Sequence, residues 1–243
     1  MSGHFAASPP ALAELPRERL LVEASLWSAD LTALAAEVGR VAPCADMLHV
    51  DVADGNFVDQ LLFFPDLVAA LRPRTALPIH AHLMVERPGP VAEAFGRAGA
   101  DLITVHAETG ESGLEAVAEI RQRGQTAGVA LRAESDPQLL AAFLDWVDVV
   151  LMIGTPLGTS GTEMSVNAPA RIGAVRELLE RHERGEVRVI ADGGIRRHSV
   201  GPLYESGADG VVAGSLLFGS EDMAATSKWL RAHCATASGG GPA

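Results

Sequence analysis

Imidazole and carboxylate side chains recur at alternate positions in short apolar runs. In His49-Val50-Asp51-Val52-Ala53-Asp54-Gly55-Asn56-Phe57-Val58 the run from Met47 to Val52 has the length and β-branched content of a strand, and Asp54-Gly55 marks a turn. Alternate residues of a strand share a face, so His49 and Asp51 point together. Ile79-His80-Ala81-His82-Leu83-Met84 repeats the pattern, with His80 and His82 on one face. Such residues suit either a polar layer packed inside a barrel or a ligand set. Neutral imidazole and carboxylate are usual donors to zinc, iron or manganese.

A third run, Val187 to Ala191, opens into Asp192-Gly193-Gly194-Ile195. Its two glycines allow a close approach of backbone to ligand. Asp51 and Asp192 would then face each other from different sides of one site. Two facing bases are what reversible proton transfer at a single carbon requires. A divalent cation between them would stabilise the oxygens of an enediolate. In Ala24-Ser25-Leu26-Trp27-Ser28-Ala29-Asp30, Ser25 suits either a hydroxyl turned into that site or a plain turn residue, and Ser28 suits a helix N-cap. The loops Gly154-Thr155-Pro156-Leu157-Gly158-Thr159-Ser160-Gly161-Thr162 and Ala213-Gly214-Ser215-Leu216-Leu217-Phe218 join Gly193-Gly194 as a candidate phosphate cradle.

The elements that must position these groups alternate along the chain. Strands are expected near 20–26, 47–52, 78–83, 102–106, 126–131, 147–152, 187–191 and 210–213. Helices are expected near 29–41, 65–72, 89–98, 112–123, 137–144, 167–183, 197–206 and 221–232. Eight such βα units predict a closed parallel (βα)8 barrel, with chemistry at the C-terminal strand ends. An internal echo supports eight. Ala45-Asp46, Ala100-Asp101, Val147-Asp148 and Ala208-Asp209 precede every second strand. Gly99 and Gly207 fit helix C-caps just before two of them.

The bulk composition narrows the function. A chain of 243 residues with 48% hydrophobic content fits one α/β barrel. A formal net charge of -12 and a pI near 5.0 exclude the basic footprint that nucleic acid or an anionic membrane surface would require. An anionic small substrate stays open, because backbone amides bind phosphate without net positive charge. Cys44 and Cys234 form no disulfide framework or zinc ribbon, no apolar run reaches ~18 residues, and the N-terminus lacks a signal pattern. A cytoplasmic protein is expected, with a flexible arm over 1–19, a single barrel domain over 20–234 and a flexible tail over 235–243.

Six segments stand in barrel order: Ser-Leu-Trp-Ser-Ala-Asp, His-Val-Asp-Val-Ala-Asp-Gly-Asn-Phe-Val, His-Leu-Met, Thr-Val-His-Ala-Glu, Asp-Gly-Gly-Ile and Ala-Gly-Ser-Leu-Leu-Phe. Over roughly residues 20–232 the chain resembles the ribulose-phosphate 3-epimerase family. The resemblance implies a TIM barrel isomerase that takes one divalent metal ion (zinc, iron or manganese) and a small phosphorylated sugar, by default ribulose 5-phosphate and xylulose 5-phosphate. It implies His49, Asp51, His82 and Asp192 as metal ligands, and Asp51 and Asp192 as the acid/base pair. Ser25 and Met84 fall to the substrate site, and Gly158, Gly161, Gly193, Gly194, Gly214 and Ser215 to the phosphate cradle. A homo-oligomer is expected. The alternatives are an epimerase for another pentulose or hexulose phosphate and a non-catalytic sugar-phosphate-binding barrel.

Four places depart from the family's pattern. Ala53 stands where a methionine is usual, Asp59-Gln60 where Pro-Asn is usual, and Arg132-Ala133 where Asn-Pro is usual. Leu157–Thr162 replaces a Pro-Gly-Phe-Gly-Gly-Gln loop. Ala53 would widen the pocket. Arg132 suits either a second anion-binding group at the mouth or a solvated strand-end arginine.

Overall fold

The computed structural model describes residues 9–232. Eight parallel strands close a barrel in sequence order: β1 (Leu21–Ser25), β2 (Met47–Ala53), β3 (Ile79–Met84), β4 (Leu102–His106), β5 (Thr126–Leu131), β6 (Val149–Ile153), β7 (Arg188–Asp192) and β8 (Gly210–Ala213). Around it run α1 (Leu34–Val41), α2 (Pro65–Leu71), α3 (Pro88–Ala98), α4 (Glu111–Gln122), α5 (Ala168–Arg181), α6 (Arg197–Glu205), a short α7 (Ser215–Phe218) and α8 (Met223–Ala232). The expected (βα)8 TIM barrel is the fold. Among the described residues no helix is long and apolar enough to cross a membrane.

Four local expectations are corrected. The segment 137–144 is not an α-helix but the 3-10 turns Pro137–Ala142 and Leu144–Trp146. Its buried Leu140 and Phe143 are three residues apart, which matches three residues per turn. The first helix begins at Leu34 rather than near 29, after a 3-10 turn over Leu31–Ala33. Asp30, not Ser28, caps that turn, its carboxylate accepting from the Thr32 amide at 2.9 Å. Finally, residues 9–19 of the expected flexible arm are docked. Leu15 is buried, and the Arg188 guanidinium donates to the carbonyls of Leu12, Leu15 and Pro16 at 3.2, 2.6 and 2.8 Å. Arg188 starts β7 and is itself almost fully buried, so these carbonyls supply acceptors that its charge needs. The tail over 235–243 and Cys234 lie outside the described residues.

The repeated aspartates clamp the N-terminal ends of the strands. Asp46 accepts from Arg19, from Arg231 and from the Val22 amide of β1. Asp101 accepts from Arg72 and the Ile79 amide of β3, and Asp209 from Arg176 and the Val189 amide of β7. Asp148 pairs with Arg121. Each ties an even strand to its surroundings at the end opposite the chemistry.

Most of the apolar core lies between strands and helices. The barrel interior is divided. Leu21, Met47, Leu102, Val149, Leu151 and Ile190 belong to one apolar cluster. Glu23, His49, Asp51, His80, His82, Thr104 and His106 are buried polar residues of β1 to β4. That polar side carries the candidate site.

Candidate metal centre and active site

Register brings the polar residues into rows. His49 pairs laterally with Ser25 on β1 and His80 on β3, and Asp51 pairs with His82. His49, Asp51 and His82 meet Asp192, the last residue of β7, at the C-terminal mouth. Each of the four offers a donor atom, and these atoms lie within 4.8 Å of one another. His49 Nε2 is 3.3 Å from Asp51 Oδ1 and 3.9 Å from Asp192 Oδ2. His82 Nδ1 is 3.2 Å from Asp51 Oδ1 and 3.8 Å from Asp192 Oδ2. A tetrahedral ion with bonds of ~2.0–2.2 Å separates its ligand atoms by ~3.4 Å, which these distances bracket.

The chemistry of the donors also fits a cation. His49 Nε2 is buried without a hydrogen-bond partner. Burial alone would lower the His49 pKa, but Asp51, Glu23 and Asp192 raise it well above the usual imidazole value. The surroundings therefore favour positive charge at this point, as a proton or as a metal ion. The two aspartates respond in opposite directions. Burial would raise Asp51, but His49 and His82 hold it far below the usual carboxylate range. Asp192 is pushed up to about 6 by burial against the pull of His49 and His82, with the charge of Asp51 adding to the rise.

Ser25 Oγ donates to Asp51 Oδ2 at 3.0 Å, which orients that carboxylate. Ser25 and Met84 line the cleft above the cluster together with Asp51, His82 and Asp192. Gly158, Gly161, Gly193, Gly194, Gly214 and Ser215 line the same cleft, so the three glycine-rich loops converge there. Gly194 is required by space, and Gly214 is closely packed. A Cβ on Gly194, whose φ is +69°, would sit 2.5 Å from the Met164 amide nitrogen, and one on Gly214 would sit 2.3 Å from Ser28 Oγ.

The departures resolve differently. Ala53 packs with Val58 and Met84 in a small apolar cluster that Leu157 covers, so the space beside it is filled rather than opened. Arg132 is half-buried and is not among the residues that line the cleft. Its guanidinium stacks over the Phe57 ring at 4.2 Å and donates to the Phe57 carbonyl at 3.1 Å.

His80 is not among the four converging groups. It lies a row deeper, with Nδ1 2.7 Å from Glu23 Oε2 and Nε2 2.7 Å from Thr104 Oγ1. The same Glu23 oxygen is 2.8 Å from His49 Nδ1. Burial would raise Glu23, yet His80 and His49 bring it down to about 2. On the other side His82 Nε2 is 2.9 Å from His106 Nε2, and His106 Nδ1 is 3.0 Å from Glu108 Oε2. Burial holds His106 down at about 4 against the pull of Glu108. Glu108, which burial would raise, is brought to about 2 by His106, Ser135 and the Arg132 amide.

Sequence reasoning assigned no role to Glu23, His106, Glu108 or Arg196. A carboxylate in the middle of an apolar strand was the available signal for Glu23. Thr-Val-His-Ala-Glu carried His106 and Glu108 only as part of a matched segment. Arg196 directly follows the Asp192-Gly193-Gly194-Ile195 run, lines the cleft, and donates to Ser215 Oγ at 3.3 Å and to the Gly161 carbonyl at 3.5 Å.

The chain is 34% identical over 202 residues to a ribulose-phosphate 3-epimerase of Bacillus subtilis, covering 83% of this chain and 93% of the relative. It is 37% identical over 196 residues to that of Treponema pallidum, covering 80% and 89%. Among solved structures it resembles a 3-keto-L-gulonate-6-phosphate decarboxylase from Vibrio cholerae with a TM-score of 0.69 at 16% identity, covering 89% of this chain and 98% of that one, a likeness of fold alone. Residues 21–218 match the model of the ribulose-phosphate 3 epimerase family, and the chain belongs to that family.

Proposed function

We propose that this protein interconverts the C3 epimers of a ketose phosphate, with ribulose 5-phosphate and xylulose 5-phosphate as the pair. The names of its relatives support the substrate. The observation that carries the mechanism is the convergence of two carboxylates, Asp51 and Asp192, on the same two imidazole nitrogens at the cleft. Both lie against the same two imidazoles, but one carboxyl is held low and the other at about 6.

In this reading Asp51 is ionised and takes the C3 proton from one face. The electron pair left at C3 is shared with the C2 carbonyl as an enediolate. Asp192, which lies farther from the two imidazoles than Asp51, serves as the acid in this direction and delivers a proton to the opposite face, and the roles reverse for the other epimer. Ser25 holds the Asp51 carboxylate in place. His49, Asp51, His82 and Asp192 would hold one divalent ion (zinc, iron or manganese), which supplies Lewis-acid stabilisation of negative charge on the substrate oxygens. The segments Gly158–Thr162, Gly193–Gly194 and Gly214–Ser215 bind the phosphate through backbone amides, and Arg196 adds a positive charge beside them.

The direct experiment follows C3 hydrogen exchange with solvent deuterium for both pentulose phosphates. Interconversion with deuterium at C3 of the product supports the reading. Tight binding of both sugars with no exchange favours a binding barrel instead.

A further inference from the structure

Two carboxylates, the buried Glu23 and the half-buried Glu108, stand outside the four-ligand cluster, one at the end of each imidazole chain. An ionised carboxylate only accepts hydrogen bonds, so an imidazole nitrogen bonded directly to one, with no cation between them, must carry the proton. Glu23 Oε2 faces Nδ1 of both His49 and His80. His49 is therefore protonated on Nδ1, and its lone pair sits on Nε2, the atom that faces Asp51 and Asp192. His80 likewise keeps its lone pair on Nε2, which accepts from Thr104. Gly128, beside Thr104, is needed for this arrangement, since a Cβ there would sit 2.2 Å from Thr104 Oγ1.

The second chain works through one more ring. Glu108 Oε2 faces His106 Nδ1, so His106 is protonated there and its Nε2 is an acceptor. His82 Nε2, 2.9 Å away, must then be the donor. The lone pair of His82 is left on Nδ1, the atom that faces both aspartates. The other oxygen of Glu108 accepts from the Arg132 amide at 2.8 Å, which fixes the carboxylate. One tautomer per ring satisfies the contacts with Glu23, Thr104 and Glu108 and between the two rings, and it leaves lone pairs on His49 Nε2 and His82 Nδ1 facing Asp51, an arrangement that a cation held between them would resolve.

We infer that Glu23, and Glu108 acting through His106, are positioning residues that set the tautomers of the two ligand imidazoles, presenting His49 through Nε2 and His82 through Nδ1 to the cation. The inference rests on reading the cluster as the cation site of the proposed epimerase. A neutral imidazole has one lone pair, and the wrong tautomer would aim an N–H at the metal.

The test uses 15N-labelled full-length protein loaded with zinc, with imidazole protonation read from long-range nitrogen–proton correlations. The expected pattern is a proton on Nδ1 of His49, His80 and His106 and on Nε2 of His82. A zinc-loaded protein with His82 protonated on Nδ1, or His106 on Nε2, overturns the inference. Zinc affinity, measured by competition with a chromophoric chelator, gives a second readout. His106→Leu and Glu23→Leu should each weaken zinc by about 10–100-fold. His106→Gln, which keeps a carbonyl acceptor for His82, should stay within a few-fold of the parent. Unchanged affinity in folded His106→Leu or Glu23→Leu overturns the inference. The expected tautomers in a zinc-loaded protein that does not epimerise would uphold the inference and count against the proposed function alone.

Discussion

Asp51 and Asp192 contact the same two imidazole nitrogens, at 3.2 and 3.3 Å for Asp51 and 3.8 and 3.9 Å for Asp192. Asp51 is closer to both rings and is held low, whereas Asp192 is more loosely held and is pushed up to about 6. Asp51→Asn and Asp192→Asn preserve size but remove the proton exchange. Each should lower epimerisation by about 10²–10⁴-fold. The surviving carboxylate should still exchange the C3 proton of one epimer only, which proton NMR in deuterated water would show. Full epimerisation by either folded variant would refute the two-base scheme.

Arg196 should matter to the phosphate and not to the proton. Arg196→Ala removes the cation beside Gly161 and Ser215. The expected result is a KM raised by roughly tenfold or more, with kcat nearly kept. Steady-state kinetics with a phosphorylated ketose would measure the split. A fall in kcat at constant KM would place Arg196 elsewhere in the reaction.

The buried His106 makes stability depend on pH. Its pKa falls from the ordinary 6.5 to about 4 on folding, because burial disfavours the imidazolium. Below pH 6.5 the unfolded chain takes up a proton that the native ring refuses. Stability from this group is thus complete above pH 6.5 and is lost as pH falls towards 4. His106→Gln removes the titration. Between pH 7 and pH 5 the parent, stripped of metal, should lose about 2 kcal/mol more than this variant. Urea unfolding at the two pH values would measure it, and equal losses would contradict the assignment.

At the opposite end of the barrel, Asp46 holds Arg19, Arg231 and the Val22 amide. Asp46→Ala leaves these donors short of an acceptor and should cost about 3 kcal/mol. The melting temperature should fall by about 10 °C, while the metal affinity of the folded variant stays unchanged.

The strand ends were the most legible part of the sequence. His49 and Asp51, His80 and His82, and Asp192 before two glycines announce themselves because a strand alternates faces and a barrel collects its strand ends. The repeated aspartates were legible as a period, and the structure gives their cause, which is the clamping of strand starts. Glu23 was not legible as a partner, since its meaning depends on a ring from β2 and another from β3 reaching one oxygen. The turns over 137–146 were missed because apolar residues three apart resemble a short stretch of α-helix. The docking of residues 9–19 depends on the Arg188 guanidinium emerging at the barrel floor, a juxtaposition that no local pattern encodes. Arg132 likewise found a ring and a carbonyl from the β2 loop, a partner 75 positions away in the chain.

The most direct measurement is C3 exchange by the purified, metal-loaded protein in deuterated water, started separately from ribulose 5-phosphate and from xylulose 5-phosphate. Both reactions should reach the same mixture of the two epimers, with deuterium at C3 of the product formed from either side. A folded, metal-loaded protein that binds both sugars but leaves C3 protonated and its configuration unchanged would contradict the assignment of Asp51 and Asp192 as an epimerase pair.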